Sequence, residues 1–195
     1  MRISRQLIVA SLLAGLISLS FADSTTILNK PINMKEFQQC HEKLNQCAMG
    51  TPMPTLACVK KAMPKIKACK QTAALAKALR VNPAMLDLKS VKKYSVIKVN
   101  YIADGQQQYY LLTPKGKLID PVADVKTLKQ YKGKQVLVAG AGAPTSTSTT
   151  KGMSFSFPVV LKEGCMACRT IAKLNSIVTF DVNGKAISST IQKLK

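Results

Sequence analysis

The sequence Gln107-Gln108-Tyr109-Tyr110-Leu111-Leu112-Thr113-Pro114-Lys115-Gly116-Lys117 lies within residues 94–161, a region with sustained two-residue alternation and clear turn chemistry. Residues 95–101 alternate in the same way, which predicts a preceding strand with one buried and one wet face. Asp104-Gly105 predicts a hairpin between these strands, because both central residues of a type I′ turn need positive φ. Pro114-Lys115-Gly116 predicts a second turn, followed by a short strand at Leu118-Ile119.

The apolar period changes after this stretch. Val122, Val125 and Leu128 lie three apart, which predicts a short helix over 122–131. We expect a buried strand over 135–139 and a loop over the polar run 141–152. Alternating apolar residues predict a further strand over 153–161, in which Pro158 removes one ladder donor and indicates an edge or a bulge.

This order of three strands, a helix, a strand, a loop and a fifth strand is that of the oligonucleotide/oligosaccharide-binding (OB) fold, a five-stranded Greek-key barrel. Residues 94–161 also resemble small OB-like domains of exported bacterial proteins, and the resemblance covers about a third of the chain. It is carried by Tyr109-Tyr110-Leu111, Thr113-Pro114, Gly116-Lys117-Leu118, Leu128-Lys129-Gln130-Tyr131 and Gly133-Lys134-Gln135-Val136-Leu137-Val138. The resemblance implies a fold and supplies no catalytic residue.

The C-terminal region adds strands to this count. Residues 174–182 alternate, Asn183-Gly184 predicts a hairpin turn, and residues 185–194 return as a second strand. These two strands exceed the five of an OB barrel. Either they extend the sheet, or the true fifth strand lies here and Phe155 belongs to an inserted hairpin.

The first 22 residues have the pattern of a secretory signal peptide. Arg2 and Arg5 precede the apolar run 7–19, and Ser20-Phe21-Ala22 is a small-x-small cleavage site. A retained membrane anchor is the alternative, although the apolar run is shorter than the ~20 residues that a bilayer span requires. We therefore predict a periplasmic or secreted protein, cleaved near Ala22, with no transmembrane segment afterwards.

The chain is strongly basic. Its formal charge of +20 becomes +18 when Arg2 and Arg5 are removed, since no acidic residue precedes the cleavage site. Such an excess attracts anionic partners. The alternative is that the lysines only keep an exported protein in solution, since they are scattered along the chain and form no single run.

Four of the six cysteines predict a helical hairpin tied by disulfides, since an oxidising compartment favours bridged cysteines. Cys40 and Cys47 are two helical turns apart, and Cys58 and Cys69 about three, so each pair shares a helix face. Cys47–Cys58 as the inner bridge and Cys40–Cys69 as the outer one fit this layout if Pro64 breaks the second helix. The other pairings stay open.

Caps complete the prediction for the helical region. Thr55 is an N-cap candidate, and Asn82 with Pro83 starts one further helical turn through Leu88. We predict an α+β protein in three parts: a signal peptide at 1–22, a cysteine-rich helical hairpin at 23–90, and an OB-like antiparallel β-barrel with a C-terminal hairpin at 91–195.

The Cys165-x-x-Cys168 pair is the strongest catalytic candidate. In thiol oxidoreductases the first cysteine follows a strand and begins a helix, whose dipole stabilises the thiolate. A strand precedes Cys165, but the thioredoxin fold places most of its chain after this motif and only residues 169–195 follow here. A structural disulfide is the alternative. We expect no metal site, because zinc prefers four ligands with short paired spacings, and no cofactor.

His41 is the one histidine, so any Ser-His-Asp or Cys-His mechanism would need it. It follows Cys40 directly on the predicted first helix. We interpret it as an ordinary, partly exposed helical residue.

A binding surface is the remaining candidate. An OB barrel presents its second and third strands and its loops to ligands. Here that area carries Tyr109, Tyr110, Lys115 and Lys117, with Lys98, Tyr101 and the loop 141–152 nearby. Tyrosines interleaved with lysines can stack on bases or sugars and pair with phosphates. The alternative is that the Tyr110 ring belongs to the core and the lysines only solvate the face.

Together these features predict an exported, non-catalytic binding or adaptor protein, such as a subunit of an envelope or secretion assembly. Its partner would be a protein of the cell envelope or an anionic surface polymer. One alternative is a periplasmic thiol–disulfide oxidoreductase with Cys165 as nucleophile and Cys168 as resolving cysteine. A second is nucleic-acid or polysaccharide binding through the barrel face.

Overall fold

The computed structural model describes residues 18–19, 26–48, 50, 54–101, 106–123, 125, 128 and 136–194. Within them the chain forms a helical layer, a four-stranded antiparallel sheet and a six-stranded antiparallel sheet. The α+β class is confirmed. The predicted cleavage site at 20–22 and the predicted Asp104-Gly105 turn lie outside the described residues.

The helical layer consists of α1 (Met34–Asn45), α2 (Leu56–Ala62) and α3 (Lys70–Leu79), with 3-10 turns at Met63–Lys65 and Lys67–Cys69. The Asn33 side chain accepts hydrogen bonds from two amides at the start of α1. The Thr55 hydroxyl accepts one from the Cys58 amide at 3.4 Å, as its position predicts. The α-helical pattern ends at Ala62, two residues before Pro64, because a proline cannot donate the next backbone hydrogen bond.

Two disulfides tie this layer together. Cys40 is bonded to Cys69 and Cys47 to Cys58, which are the predicted outer and inner bridges. Both Cys40 and Cys69 are fully buried, and they form a small core with Leu44. The break at Pro64 lets the two bridges fit, since the spacing along α1 is shorter than that along a continuous second helix.

The four-stranded sheet is the middle layer, with strands in the order β2 (Leu86–Val91), β3 (Tyr94–Asn100), β4 (Gln107–Leu112) and β5 (Leu118–Ile119). The helical turn expected through Leu88 ends earlier, because a 3-10 turn spans Pro83–Met85 and β2 follows directly. The sheet crosses the domain boundary that we placed after residue 90.

The prediction of one wet face for β3 is wrong. Tyr94 and Val96 pack against the six-stranded sheet, while Ile97 and Val99 pack against the helices. Alternation separates the two faces of a strand but does not show whether a second layer covers the more polar one.

The six-stranded sheet contains β1 (Ser18–Leu19), β6 (Val136–Ala141), β7 (Thr145–Thr149), β8 (Gly152–Glu163), β9 (Thr170–Asp181) and β10 (Ala186–Lys193). Its order is β1-β10-β9-β8-β6, and β7 also pairs with β8. The two C-terminal strands therefore extend the sheet, and Asp181–Lys185 closes the predicted hairpin turn.

Two sequence predictions for this sheet meet different outcomes. The loop expected over 141–152 is wrong in part, because residues 145–149 form an exposed strand. Threonine and serine lack the apolar bulk of a core strand, but β-branched threonine suits a pleated backbone. The strand predicted over 153–161 is confirmed as β8. Pro158 lies at the position along β8 where the paired strand changes from β6 to β7.

Among the described residues the two sheets do not close into a barrel, so the predicted OB-like barrel is not confirmed. β6 approaches β4, so that a Cβ on Gly140 would lie 3.6 Å from the Gln107 carbonyl oxygen, yet no ladder joins these strands among the described residues. Most of the helix expected over 122–131 falls outside the described residues, although Val122, Val125 and Leu128 are buried between the sheets. No described helix is both long and apolar enough to cross a membrane.

Candidate functional site

Three strands of the middle sheet place Asp87, Lys98 and Tyr109 in one row. Asp87 on β2 is the register partner of Lys98 on β3, and Lys98 is that of Tyr109 on β4. Lys89 and Val96 form part of the next row. Because Val96 packs toward the six-stranded sheet and side chains two apart share a face, both rows belong to the face between the two sheets.

The six-stranded sheet covers the second row and leaves the first partly open. Val96 is buried, whereas the Lys98 and Asp87 side chains are 27% and 59% exposed. Lys98 Nζ lies 3.3 Å from Asp87 Oδ2. A partly solvated pair of this kind contributes little to stability, so these two charges are available for a ligand.

The edge of the six-stranded sheet forms a wall over this row. The resulting groove has a volume of about 350 Å³. Its floor is Asp87, Lys89, Val91, Val96, Lys98 and Tyr109, and its wall is Ala143, Pro144 and Ser146. We call this cavity the groove.

The wall strand β7 continues beyond the groove into a second cavity of about 260 Å³. Ser146 and Ser148 are the register partners of Phe155 and Met153, two buried residues, so both serines face the middle sheet. At this end the Lys92 ammonium donates a hydrogen bond of 2.6 Å to the Ser148 hydroxyl. The groove and the second cavity thus run along one strand edge.

Positive charge predominates along this edge. Lys89, Lys92 and Lys93 are exposed, and Lys98 is half-buried. These four lysines outnumber the two acidic residues that line the cavities: Asp87, which forms the partly solvated pair with Lys98, and Asp181, which accepts hydrogen bonds from the amides of residues 183 and 185. An anionic ligand is therefore favoured here.

The structure brings together Lys98 and Tyr109 of the five residues that we proposed for ligand binding. Tyr110 lies on the opposite face and packs in the core beneath the helices. Burial raises the pKa of its phenol above the ordinary value of 10.0, and the nearby Tyr101 and Asp120 raise it further. Its role is packing.

Lys115 and Lys117 lie elsewhere, exposed in the turn between β4 and β5. Lys117 pairs with Thr26 through an isolated bridge, so this turn holds the N-terminal segment. Neither lysine lines the groove.

Sequence reasoning missed the wall of the groove and half of its floor. Asp87 and Lys89 fell in a stretch that we read as a helical turn and a boundary, and the wall fell in a predicted loop. The available signal was the run Thr145-Ser146-Thr147-Ser148-Thr149, whose β-branched threonines alternate with serines.

The third disulfide joins Cys165 and Cys168 in the turn between β8 and β9. This turn begins at Gly164 with φ of 68° and is closed by a hydrogen bond from the Glu163 amide to the Arg169 carbonyl at 3.0 Å. No helix follows Cys165 within residues 166–194, which the structure describes, so the helix start that stabilises the thiolate in thiol oxidoreductases is not found there.

His41 offers no catalytic arrangement within the described residues. Its ring lies 4.1 Å from that of Phe37, centroid to centroid, and its Nδ1 lies 3.2 Å from the Phe37 carbonyl oxygen. The described residues also contain no group of three metal-ligating side chains.

Comparison of the chain with protein-family models, with curated proteins and with solved structures finds no match.

Proposed function

We propose that this protein is an exported, non-catalytic binding or adaptor module that engages a protein or an anionic polymer of the cell envelope. The observation that carries the proposal is the groove: a row of Asp87, Lys98 and Tyr109 that lies open beside an exposed strand edge. A phenol ring, an aliphatic wall and ammonium groups within one concave surface are the usual components of a binding site.

Export to an oxidising compartment is part of the proposal. Three disulfides join all six cysteines, and structural disulfides persist in the periplasm or outside the cell. The signal-like pattern at 1–22 supports the same location. An envelope partner is then within reach, whereas cytoplasmic nucleic acid is not.

Two double variants test the groove, one that removes a lysine and a tyrosine from its floor and one that serves as a control. The wild type, Lys98→Ala/Tyr109→Ala and Lys60→Ala/Lys61→Ala would each be immobilised and exposed to a detergent-solubilised envelope fraction. Lys60 and Lys61 are exposed on α2, away from the groove. Quantitative mass spectrometry and sugar analysis should find components that the groove variant retains at least about tenfold less well than the other two. Equal recovery on all three would refute the groove as the binding site.

A second candidate function rests on the exposure of Cys165, which is bonded to Cys168. A thiol–disulfide oxidoreductase would attack its substrate through Cys165 and resolve the mixed disulfide with Cys168. Turnover of a model disulfide by the wild type that is lost in Cys165→Ser would favour this function over a binding module.

A further inference from the structure

The edge strand β7 differs from both edge strands of the middle sheet, β2 and β5. An exposed edge presents unpaired amides and carbonyls, and proteins guard such edges with charges, prolines or very short strands. β5 has two residues, and β2 carries the exposed charges of Asp87 and Lys89. β7 is five residues of threonine and serine, all exposed.

One side of β7 is free for pairing within the part of the chain that the structure describes. β7 forms a ladder with β8 alone, over Thr145–Thr149 and residues 152–156. The described backbone hydrogen bonds outside ladders involve none of its five residues. Its other edge therefore offers an unfilled set of alternating donors and acceptors.

A strand added at this edge would lie over the groove floor. Neighbouring strands are about 4.8 Å apart and packed sheets about 10 Å apart, so the added strand would continue the six-stranded sheet above Lys89 and Lys98. Every second side chain of that strand would point down to the lysines. The floor between them supplies Val91 and Tyr109 for apolar contact.

We propose that β7 is a docking strand for an extended acidic polypeptide segment, which pairs with Thr145–Thr149 and directs alternate carboxylates toward Lys89, Lys92 and Lys98. This proposal rests on the function proposed above and names its partner class. A second copy of the chain is a poor occupant, because two copies, each with a formal charge of +18 after removal of residues 1–22, would bring like charges together at this edge.

Synthetic peptides test the proposal directly. The probe is a nine-residue peptide with glutamate at alternate positions and valine or threonine between them, and its match carries lysine in place of glutamate. We expect the acidic peptide to bind at least about tenfold tighter by fluorescence anisotropy, with an affinity that falls as salt rises. N-methylation of alternate backbone amides on one edge should weaken it by about tenfold, because strand pairing requires main-chain donors.

Charge-reversal variants locate the site. Lys89→Glu/Lys92→Glu should lower the affinity for the acidic peptide by about tenfold or more, while Lys60→Glu/Lys61→Glu, an equal change of charge on α2, should lower it far less.

Hydrogen exchange distinguishes strand pairing from charge attraction, because charge attraction alone does not protect the backbone amides of β7. Bound peptide should slow the exchange of alternate amides within 145–149 by about tenfold or more.

The outcomes separate this inference from the function beneath it. Peptide binding without protection of 145–149, absence of binding at ~1 mM peptide, or a dimer paired through β7 in sedimentation would each overturn strand docking. The envelope experiment with Lys98→Ala/Tyr109→Ala would still stand in those cases. If that experiment also shows equal recovery on all variants, the groove is refuted as the binding site, and the proposed function loses the observation that carries it.

Discussion

The ring of Tyr94 meets the ring of Phe155 edge-on, with centroids 5.1 Å apart and an interplanar angle of 67°. Tyr94 belongs to the middle sheet and Phe155 to the six-stranded sheet, so this contact joins the two layers at their centre. Phe180 completes the cluster, 4.9 Å from Tyr94. The buried Tyr94 hydroxyl has no hydrogen-bond partner among the described residues.

Replacing Tyr94 by phenylalanine should leave stability unchanged or raise it. The change keeps the ring and removes a buried hydroxyl whose desolvation costs about 1–3 kcal/mol when it has no partner. Phe155→Ala should instead lower the free energy of unfolding by about 3–5 kcal/mol, because it removes a buried ring. Urea denaturation measures both. A loss above about 1 kcal/mol in Tyr94→Phe would mean that the hydroxyl makes a stabilising bond.

Alkaline pH should destabilise the protein through its buried tyrosines. Burial raises the pKa of Tyr110 and of Tyr94 above the ordinary value of 10.0, and Asp181 raises that of Tyr94 further. The folded state then keeps protons that the unfolded chain releases, so stability is complete below pH 10 and falls as the pH rises beyond it. Denaturant midpoints measured from pH 8 upward should show this decline. If the stability of a Tyr110→Phe variant falls with pH as steeply as that of the wild type, Tyr110 does not contribute to the decline.

The disulfides should contribute unequally to stability. Cys40–Cys69 closes a separation of 29 residues and is fully buried, whereas Cys165–Cys168 closes a separation of 3. Since the entropy of the unfolded chain falls more when a longer loop is closed, removal of Cys40–Cys69 as a serine pair should cost about 3–4 kcal/mol and removal of Cys165–Cys168 about 2 kcal/mol or less. Thermal unfolding of the two double variants gives the comparison. Equal losses would show that the turn disulfide has a larger structural role.

Stepwise reduction tests the redox alternative on the same cysteines. Cys165 is exposed, so we expect the Cys165–Cys168 disulfide to be reduced first as the dithiothreitol concentration rises. Alkylation of the released thiols and mass spectrometry identify which cysteines are free at each step. A structural disulfide has a potential below about −300 mV, and we expect that range for Cys165–Cys168. A value between about −120 and −200 mV is typical of catalytic oxidants and isomerases and would favour the oxidoreductase.

Gly116→Ala should loosen the N-terminal segment. Gly116 has φ of 72°, and a Cβ there would lie 1.8 Å from the Leu28 carbonyl oxygen. The Gly116 carbonyl accepts hydrogen bonds from the amides of Ile27 and Leu28, at 2.8 and 3.2 Å. We expect a loss of more than about 1 kcal/mol and faster hydrogen exchange at residues 27 and 28. Lys117→Ala, an exposed neighbour, is the control and should change stability by at most about 0.5 kcal/mol.

The groove was only half predictable. The interleaving of aromatic and basic residues in this region predicts a shared surface for Lys98 and Tyr109, and the two residues do lie in one row. The same pattern predicts Tyr110 as a ligand-binding residue. Because successive residues of a strand point to opposite faces, Tyr109 faces the groove and Tyr110 faces the core beneath the helices. Which face met the second sheet could not be read from alternation.

The sequence by itself determined the features whose cause is local. Helical spacing and Pro64 favour the two disulfides of the helical layer, alternation predicts β8, and Asn183-Gly184 predicts the hairpin turn between β9 and β10. Only the tertiary structure decided that β3 is covered on both faces, that β7 forms an open edge, and that Asp87 joins Lys98 in the groove. These features depend on contacts between residues distant in the chain, and the periodicity of a single strand does not record which layer will pack against it.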